Sequence, residues 1–361
     1  MRPAAERPSV LFATGSYTSE GRGRGEGIGL WALDASGDRP GIRRLATVRA
    51  EDPSALCWSE DGALLYAVLE TSPSRLLALA VTGAEDAPAL ELRAELALTG
   101  SGGCHLSPGR RPGTLLIAHY GSGSVETVAL DGEGMPTEAI DLDDHHEVAE
   151  GAEPHPHQVR PLDGSELIAV PDLGLDRIFL YRQDHAGQIA LESQISLPRG
   201  SGPRHLTADH ESSQLFVSCE RSGAVAAAVR RQVPQPVGGL QMMRGPEYAW
   251  SVSSVVPATR TDVEDAVSHL ELTADEEALL VANRGPDTLA LFSLAGMRPE
   301  LVTEVPVGAH PRHFTQHGDL VLVAAQEDDR IDLLRRRGEE LAPAAEPIPA
   351  PSVTFVAIRP A

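Results

Sequence analysis

The sequence of 361 residues contains no lysine, so all 30 of its Lys+Arg side chains are arginines. The absence of an amine side chain excludes Schiff-base chemistry, pyridoxal-phosphate enzymes and a Walker P-loop. Basic residues are also outnumbered, because 52 Asp+Glu give a formal net charge of −22. A field of that sign repels phosphate, so the composition predicts a protein that binds neither nucleic acid nor an anionic membrane surface.

Long apolar runs and cysteine pairs are missing as well. No run reaches the roughly 18 residues of a membrane span, and the first residues, MRPAAERPSVLFATG, lack the uninterrupted apolar core of a secretion signal. Cys57, Cys104 and Cys219 are widely spaced and form no CxxC. Such a set indicates free thiols in a reducing compartment. We therefore expect a cytoplasmic protein.

What the sequence does contain is an internal repeat of about fifty residues. Each unit has a Pro or Gly corner, a short strand, a turn with Asp or Gly, a second β-rich strand that ends at a polar residue, and a third amphipathic stretch. The corners are predicted at Pro53, Gly103, Pro154, Pro203, Val267 and Pro311, at intervals of 50, 51, 49, 64 and 44 residues.

Short four-stranded units at this period are typical of a β-propeller, which protects its sheet edges by radial repetition. Six units cover about 52–340, and the strands PSVLF at 8–12 and PSVTF at 351–355 supply a seventh. We therefore predict an all-β, seven-bladed β-propeller, a single domain over residues 8–358 whose ring is closed by N- and C-terminal strands in one blade. The longest interval contains an insertion at 231–250, which suits either a lid or an oligomer contact.

A propeller brings the equivalent positions of all blades together around its central channel. The corners offer a serine, arginines and histidines, namely Ser54, His105, His155, His157, Arg204, His205, His269, Arg312 and His313. The ends of the second strands offer Glu70, His119, Tyr120, Asp172, Glu220, Arg284 and Gln326. A ring of arginine, histidine and carboxylate suits the binding of an anionic, oxygen-rich molecule and the movement of a proton on it. The alternative is structural, with these groups bonding the neighbouring blades.

At these residues the sequence resembles the lactonase family of seven-bladed propellers, which includes bacterial propeller-type 6-phosphogluconolactonase and fungal carboxymuconate cyclase. The matching segments run in family order from about residue 10 to 358 and are TGSYTSEGRGRGEGIGLWALD, DPSALCWSEDGALLYAVLE, HYGSGSVETVALDGEG, PHPHQVRPLDG, PDLGLDRIFLYR, GPRHL, SCE, ANRGPDTLALFSL and HPRHF. The resemblance implies a catalytic set of His155 (or His157), Arg204, Glu220 and Arg284. The chain departs from the family pattern at His119, where the family has Asn, and at Ser16, where it has Thr.

The implied activity is hydrolysis of a sugar-acid lactone, of the type that converts 6-phospho-D-glucono-1,5-lactone to 6-phosphogluconate. Either His155 or Glu220 would move the proton, while Arg204 and Arg284 stabilise negative charge. The partner would be a small anionic lactone or sugar acid, and we expect it to be bound by His157, His105, Glu70, Asp172, His205, Arg312 and His313. Two alternatives stay open: an enzyme resembling 3-carboxy-cis,cis-muconate cyclase, which forms a lactone with the same groups, and a non-enzymatic binding platform.

Other chemistries have little support in the sequence. The loop Gly21–Gly29 lacks the GxGxxG spacing of dinucleotide-binding proteins, and no GxSxG nucleophile motif is present. The acidic, histidine-rich segment DLDDHHEVAEGAEPHPH leaves a zinc site at His145, His146, His155 and His157 as an alternative. The family resemblance invokes no metal. We expect neither a cofactor nor a catalytic metal.

Overall fold

The sequence repeat folds into seven antiparallel sheets, six with four strands and one with five. The computed structural model describes residues 9–37, 39–84, 87–149, 151–233, 248–264 and 266–360. Within these ranges the helical segments are two short 3₁₀ turns, His145–Val148 and Glu220–Ser222. Neither has the length or the apolar content to cross a membrane.

We number the strands along the chain. The first eleven are β1 (Val10–Ser16), β2 (Ile28–Asp34), β3 (Gly41–Val48), β4 (Pro53–Trp58), β5 (Leu64–Leu69), β6 (Arg75–Ala84), β7 (Ala87–Ala97), β8 (Gly103–Pro108), β9 (Thr114–His119), β10 (Ser124–Leu130) and β11 (Pro136–Asp144). The next eight are β12 (Arg160–Pro161), β13 (Leu167–Asp172), β14 (Arg177–Gln183), β15 (Ile189–Ser196), β16 (Pro203–Ala208), β17 (Gln214–Cys219), β18 (Ala224–Gln232) and β19 (Tyr248–Pro257). The last ten are β20 (Ala266–Leu272), β21 (Ala278–Arg284), β22 (Thr288–Ser293), β23 (Glu300–Pro306), β24 (Pro311–His317), β25 (Leu320–Ala325), β26 (Arg330–Arg337), β27 (Glu340–Pro343), β28 (Ile348–Pro349) and β29 (Val353–Ile358).

Each sheet is one propeller blade, and we number the blades along the chain. Blades 2 to 7 each use four successive strands, beginning at β4, β8, β12, β16, β20 and β24, and β28 adds to blade 7. The first strands of neighbouring blades contact one another, so they form the inner ring around the channel. Blade 1 has the order β29-β1-β2-β3, with Gly15 opposite Phe355. The predicted seven-bladed all-β propeller, closed by its two terminal segments, is confirmed.

The second strand of each blade is apolar because both of its faces are covered. Strand β25, LVLVAA, is buried along its whole length, and β9 is too. These strands pack between two neighbouring blades, which removes the usual alternation with polar residues. The fourth strands face solvent, and β15, IALESQIS, is mostly exposed. The core therefore lies between the blades, around the channel.

The inner strands share a β-bulge one residue after the corner. The pairing register shifts between Pro53 and Ala55 in blade 2 and between Pro203 and His205 in blade 5. The same shift occurs in blades 3 and 7, and a related one in blade 6. A bulge leaves one residue out of the ladder and re-aims its side chain. It gives the inner strands of these five blades one side chain that can reach the channel mouth or the next blade.

Where the bulged residue is small, it bonds the next blade. Ser54 Oγ donates to the Gly103 carbonyl at 2.7 Å, and Ser268 Oγ donates to the Pro311 carbonyl at 2.6 Å. Ser268 is fully buried. These bonds fasten neighbouring blades at the inner ring.

We expect Ser268→Ala to lower the free energy of unfolding by about 1–3 kcal/mol, because it leaves a buried carbonyl without its donor. Urea unfolding followed by circular dichroism measures the change. The control is Ser36→Ala in an exposed turn, for which a change within about 0.5 kcal/mol is expected. Equal effects of the two substitutions would contradict the proposed inter-blade role.

Two details of the sequence prediction are corrected. The corner of blade 4 is Pro156, which pairs with Asp172, and not Pro154. Both ends of the predicted insertion at 231–250 are strand, because Arg231 pairs with Ala249 at the outer edge of blade 5. Its middle, residues 234–247, lies outside the described residues, and so does the prediction of a lid or an oligomer contact.

Candidate active site at the channel mouth

Three charged groups meet at one mouth of the channel. Arg204 is the bulged residue of β16, Glu220 follows β17, and Arg284 ends β21. One carboxylate oxygen of Glu220 lies 3.0 Å from Arg204 Nε and 2.5 Å from Arg284 Nη2. Both arginines are buried, whereas the Glu220 side chain is 26% exposed. The inner strand of one blade and the second strands of two blades thus converge on one carboxylate.

The backbone fixes both guanidinium groups from behind. Arg204 Nη1 donates to the Ser268 carbonyl at 2.8 Å, and Arg284 Nε donates to the Ala266 carbonyl at 2.8 Å. Both carbonyls belong to β20. The two cations are therefore placed before any ligand arrives, as electrostatic catalysis requires.

The charges at the mouth change the pKa values of these groups. Burial favours the neutral form of Glu220, but the charges of Arg284 and Arg204 outweigh it and hold the pKa of Glu220 below its usual value. Burial, with repulsion from Arg284 and Arg312, lowers the pKa of Arg204 to about 9. At neutral pH the triad therefore holds two cations and one anion, with one positive charge in excess.

A second charged group lies beside the first, around a tyrosine. Tyr17 Oη donates to Glu70 at 2.6 Å and accepts from Arg312 Nη2 at 2.7 Å. Arg22 lies over the ring, with its Cζ 4.1 Å from the ring centre. Arg22 also pairs with Glu70 at 2.5 Å and with Asp52 at 3.2 Å. Arg312 lowers the pKa of Glu220, so the two groups share one electrostatic environment.

His155 is held in a definite tautomer next to this mouth. Its Nδ1 lies 2.9 Å from the Tyr120 carbonyl, which can only accept, so Nδ1 carries the proton. The Nε2 of the neutral ring is then unprotonated. The His155 ring stacks on Tyr120 with 4.2 Å between ring centres. Glu220 raises the pKa of Tyr120 after the larger effect of burial, which places this stack near Glu220.

The other predicted histidines line the channel below the mouth, in a chain of ring contacts. His205 contacts three rings, with centres 5.1–5.5 Å apart, those of His105, His157 and His269. His313 stacks between His269 at 4.0 Å and Phe355 at 3.7 Å. We name this group the histidine stack; it consists of His105, His157, His205, His269, His313 and Phe355.

Burial and nearby positive charge keep the histidine stack neutral. Burial, together with His269 and two arginines, lowers the pKa of His105 to about 3. Burial followed by the charge of Arg204 lowers the pKa of both His157 and His205 well below the ordinary value. His205 Nδ1 and His269 Nδ1 are 2.8 Å apart, so one proton joins the two rings.

Because the histidine stack is neutral in the folded protein, we expect the free energy of unfolding to fall as the pH is lowered. Burial, followed by the charges of His269 and His105, lowers the pKa of His313 well below 6.5. Below pH 6.5 the unfolded chain binds a proton at this position that the folded chain does not, so the stabilisation present at neutral pH is lost as the pH falls. We expect His313→Phe to remove about 1.4 kcal/mol of the loss in stability between pH 7.5 and pH 5.5.

Urea unfolding of the wild type and the variant at both pH values tests this expectation. Phenylalanine keeps the ring that stacks on Phe355, and replacement of the exposed His185 by alanine controls for the loss of a histidine as such. The same pH dependence in His313→Phe and in the wild type would contradict it.

Asp172 is not brought into the mouth. Its carboxylate is fully buried and accepts from His145 Nδ1 at 2.7 Å and from the amides of His155, Gly174 and Leu175 at 2.9–3.0 Å. The physical reason is the two-residue shift of the blade 4 corner, which puts Leu173 rather than Asp172 after the second strand. Asp172 fixes the backbone that carries His155.

The other predicted site residues fall into two groups. Those at the mouth are His155, Arg204, Glu220, Arg284, Glu70 and Arg312. Those in the histidine stack are His157, His105, His205 and His313. His119, the departure from the family pattern, is fully buried and bonds Glu126 at 2.9 Å.

Two histidines of the histidine-rich segment, His145 and His146, are bonded to protein groups. His145 uses both ring nitrogens, on Asp172 and on Tyr181. His146 is exposed and bonds Asp144 at 2.7 Å. In the part of the chain that the structure describes, no three His, Cys, Asp or Glu side chains are grouped as metal ligands.

Sequence reasoning missed three residues of the mouth. Tyr17 follows β1 as Glu220 follows β17, but β1 belongs to the blade that joins both ends of the chain. Arg22 lies in the glycine-rich loop after β1, which was considered only as a nucleotide-binding loop. Aligning the terminal blade with the other six would have found Tyr17, whereas Arg22 lies further along the loop and has no equivalent position in the repeat. His310, whose pKa is lowered by burial and by Arg284, Arg312 and Arg204, was missed because it precedes the corner Pro311.

Fold and mouth together define a seven-bladed propeller with a candidate site for an anionic ligand, built from arginine, histidine and glutamate. The chain belongs to the family described as "Lactonase, 7-bladed beta-propeller", which matches residues 12–358. The family resemblance seen in the sequence is therefore confirmed.

Each of the individual proteins compared below is identical to this chain at less than a quarter of the aligned positions. The chain is 24% identical to the 6-phosphogluconolactonase of Bacillus subtilis (strain 168) over 351 residues, 93% of this chain and 95% of the relative. It is also similar to the structure of the periplasmic gluconolactonase of Pseudomonas aeruginosa, with a TM-score of 0.83, 21% identity and coverage of 97% and 99% of the two chains. A protein of Lactobacillus plantarum gives the same values. At this identity the structural likenesses show the fold alone.

Proposed function

We propose that this protein hydrolyses the lactone ring of a sugar acid, with 6-phospho-D-glucono-1,5-lactone as the favoured substrate. The observation that carries the proposal is the placement of two backbone-anchored arginines on one carboxylate, Glu220, whose charge also acts on Tyr120, the ring on which His155 stacks. The lactonase family and the Bacillus subtilis relative support the reaction class. Hydrolysis of an ester ring needs a base for water, positive charge for the oxyanion and a proton for the leaving oxygen.

In this proposal His155 is the base. Its Nε2 accepts a proton from the attacking water, while Nδ1 keeps its own proton and donates a hydrogen bond to the Tyr120 carbonyl. The carbonyl oxygen of the lactone becomes negative as water adds, and Arg204 and Arg284 stabilise that charge. His155 then returns the proton to the ring oxygen as the C–O bond breaks, and the product is the open hydroxy acid.

Glu220 fits a positioning role better than the base role. Its low pKa makes it a weak base at neutral pH, and one of its oxygens already contacts both arginines. The carboxylate holds the two guanidinium groups close together in spite of their mutual repulsion. This choice between His155 and Glu220 resolves, as a proposal, the ambiguity that the sequence left open.

A substrate panel tests the proposal. Purified protein is mixed with 6-phospho-D-glucono-1,5-lactone, with D-glucono-1,5-lactone and with 3-carboxy-cis,cis-muconate, and the products are identified by ¹³C NMR against buffer alone. We expect ring opening of the phosphorylated lactone well above the spontaneous rate. Ring closure of the muconate would favour the cyclase, and no reaction with any compound would favour the binding platform.

Treatment with EDTA before the assay is expected to leave the rate within about twofold, because the proposed groups supply the base and the positive charge without a Lewis acid. Elemental analysis of the treated protein confirms that metals have been removed. Loss of activity that returns with one added metal would contradict this mechanism.

Two wider expectations belong to the same proposal. Residues 8–358 act as one domain, which is supported by the pairing of β1 with β29. The protein works in the cytoplasm, which is supported by its three free cysteines, Cys57, Cys104 and Cys219.

A further inference from the structure

We propose that Arg312 is a second anion subsite, which binds a phosphate or carboxylate group remote from the ester. Tyr17 orients Arg312, and Glu70 makes its closer ion pair with Arg22. This inference rests on the proposed lactonase function and extends it, because it assigns to particular residues the preference for a lactone that carries a second negative charge. Tyr17 and Arg22 have no role in the hydrolysis described above.

The first step is a difference between the arginines of the mouth. Arg204 and Arg284 contact the same Glu220 oxygen at 3.0 and 2.5 Å. Arg312 has no such partner within the described residues, because its nearest carboxylate oxygen, on Glu70, is 4.0 Å away. Its side chain is only 16% exposed. A buried guanidinium without a close carboxylate binds an anionic ligand at a smaller desolvation cost than a paired one.

The second step is the role of Tyr17. Its phenol O–H donates to Glu70 at 2.6 Å, and its oxygen accepts from Arg312 Nη2 at 2.7 Å. This is the one hydrogen bond of the Arg312 side chain in the described part of the chain. Burial raises the pKa of Tyr17, which keeps the phenol protonated and the arrangement fixed. Tyr17 therefore orients Arg312 and leaves most of its five donors for a ligand.

The third step is the role of Arg22. Glu70 would otherwise be the natural partner of Arg312, but Arg22 Nη2 contacts it at 2.5 Å. Arg22 therefore takes the closer contact with Glu70 and leaves Arg312 the more distant one. Burial opposes the charge of Arg312, but Tyr17, Glu70 and Glu220 together raise its pKa, so the guanidinium stays charged. The neighbouring histidine is consistent with this positive field: burial, with repulsion from Arg284 and Arg312, lowers the pKa of His310 to about 3.

The mouth therefore has two cationic centres with different surroundings. The Arg204–Glu220–Arg284 centre acts on Tyr120, on which His155 stacks, and in this proposal it faces the reacting ester. The Arg312–Tyr17 centre comes from blades 7 and 1 and is separate from it along the inner ring. A lactone with an anionic group away from its ester would contact both centres at once. A neutral sugar lactone would use only the first.

The test compares the ratio of kcat/KM for two substrates within each protein preparation. The substrates are 6-phospho-D-glucono-1,5-lactone and D-glucono-1,5-lactone, and a lactone with a carboxylate in place of the phosphate distinguishes between the two anionic groups. Incompletely folded protein lowers both values equally, so the ratio remains valid even where Arg312→Met is destabilised. The variants are Arg312→Met and Arg22→Met, and the matched control is Arg24→Met.

Arg24 lies on the same loop as Arg22 but is exposed and pairs with Asp329 instead. We expect the wild type to prefer an anionic lactone by about 100-fold, Arg312→Met to lower that ratio by about 30-fold, and Arg22→Met to lower it by about 5-fold. The Arg24→Met control should change it by less than about twofold. A ratio near one in the wild type, or an unchanged ratio in Arg312→Met, overturns the inference.

A binding measurement separates this inference from the proposed function. Calorimetric titration with 6-phosphogluconate and with gluconate needs no turnover. If the wild type opens no lactone but binds 6-phosphogluconate more tightly through Arg312, the lactonase proposal fails and the anion subsite stands. If it opens lactones without regard to charge, the subsite fails and the lactonase stands.

Discussion

Replacement of His155 by glutamine is expected to lower kcat for lactone opening by about 10³-fold and to leave KM within about threefold. Glutamine keeps a donor for the Tyr120 carbonyl but has no nitrogen that takes up and returns a proton. Initial rates over a range of lactone concentrations give both parameters. His146→Gln is the matched control, because His146 is an exposed histidine in the same segment and its ring pairs with Asp144 and Glu153.

The same experiment distinguishes between the two candidate bases. If Glu220 moved the proton, His155→Gln would retain at least about a tenth of the wild-type kcat, and Glu220→Gln would cause the larger loss. With His155 as the base, Glu220→Gln weakens the arrangement of the two arginines and raises KM as well as lowering kcat. A larger loss in Glu220→Gln, with KM unchanged, would contradict the assignment of His155.

Replacement of Arg204 by methionine is expected to lower kcat by about 10²–10³-fold, the usual effect of removing one group that stabilises an oxyanion. Methionine preserves the length of the buried side chain and removes its charge. The variant also removes one of the two arginines that contact Glu220 and leaves Arg284, which is the nearer of the two. Because burial opposes ionisation of Glu220, its pKa is expected to rise.

Rates of lactone opening, with circular dichroism to verify folding, measure the effect. Arg199→Met is the control, since Arg199 is an exposed arginine in the segment that leads into β16. A loss below about tenfold in a folded Arg204→Met protein would show that this charge does not act on the transition state.

Much of the fold was readable from the sequence, because a propeller repeats one local pattern. Corners at Pro53, Gly103 and Pro203 are each followed by a second strand that ends sixteen residues later, and the pairs are seen as Pro53 with Leu69 and Pro203 with Cys219. The constant spacing also predicted that the residues after the second strands, such as Glu220, would converge.

Where a local pattern was ambiguous, the prediction of the site was incomplete. The segment EPHPH contains two prolines and two histidines, and the sequence does not show which proline begins the inner strand. Choosing Pro154 instead of Pro156 put Asp172 at the mouth, whereas it is buried behind His155. The error is two residues at the corner but one residue at the end of the second strand, because Leu173 and not Asp172 follows β13. A shift of one residue turns a side chain to the opposite face of a strand.

The sequence could predict neither the tautomer of His155 nor the stacking of the histidine rings. The position of the proton on His155 Nδ1 is inferred from the contact of this nitrogen with the Tyr120 carbonyl, which is 35 residues away in the sequence. The histidine stack follows from the bulges of several inner strands, which only the folded ring brings into contact. Such contacts between blades have no local signature in the chain.

The formal net charge of −22 describes the molecule as a whole and not its mouth. Four arginines at the mouth, Arg22, Arg204, Arg284 and Arg312, face the carboxylates of Asp52, Glu70 and Glu220. One positive charge remains, in a setting where burial strengthens it. Since the sequence has no lysine, arginine is the cation that an anionic lactone would meet.

The most direct test of the central claim is a crystal structure of the protein with the sugar acid 6-phosphogluconate, determined alongside a turnover assay of the same preparation. We predict that the carboxylate of the acid contacts Arg204 and Arg284, with His155 Nε2 facing the same end of the molecule. A preparation that opens the lactone while the acid binds elsewhere, with no contact to either arginine, would contradict the account.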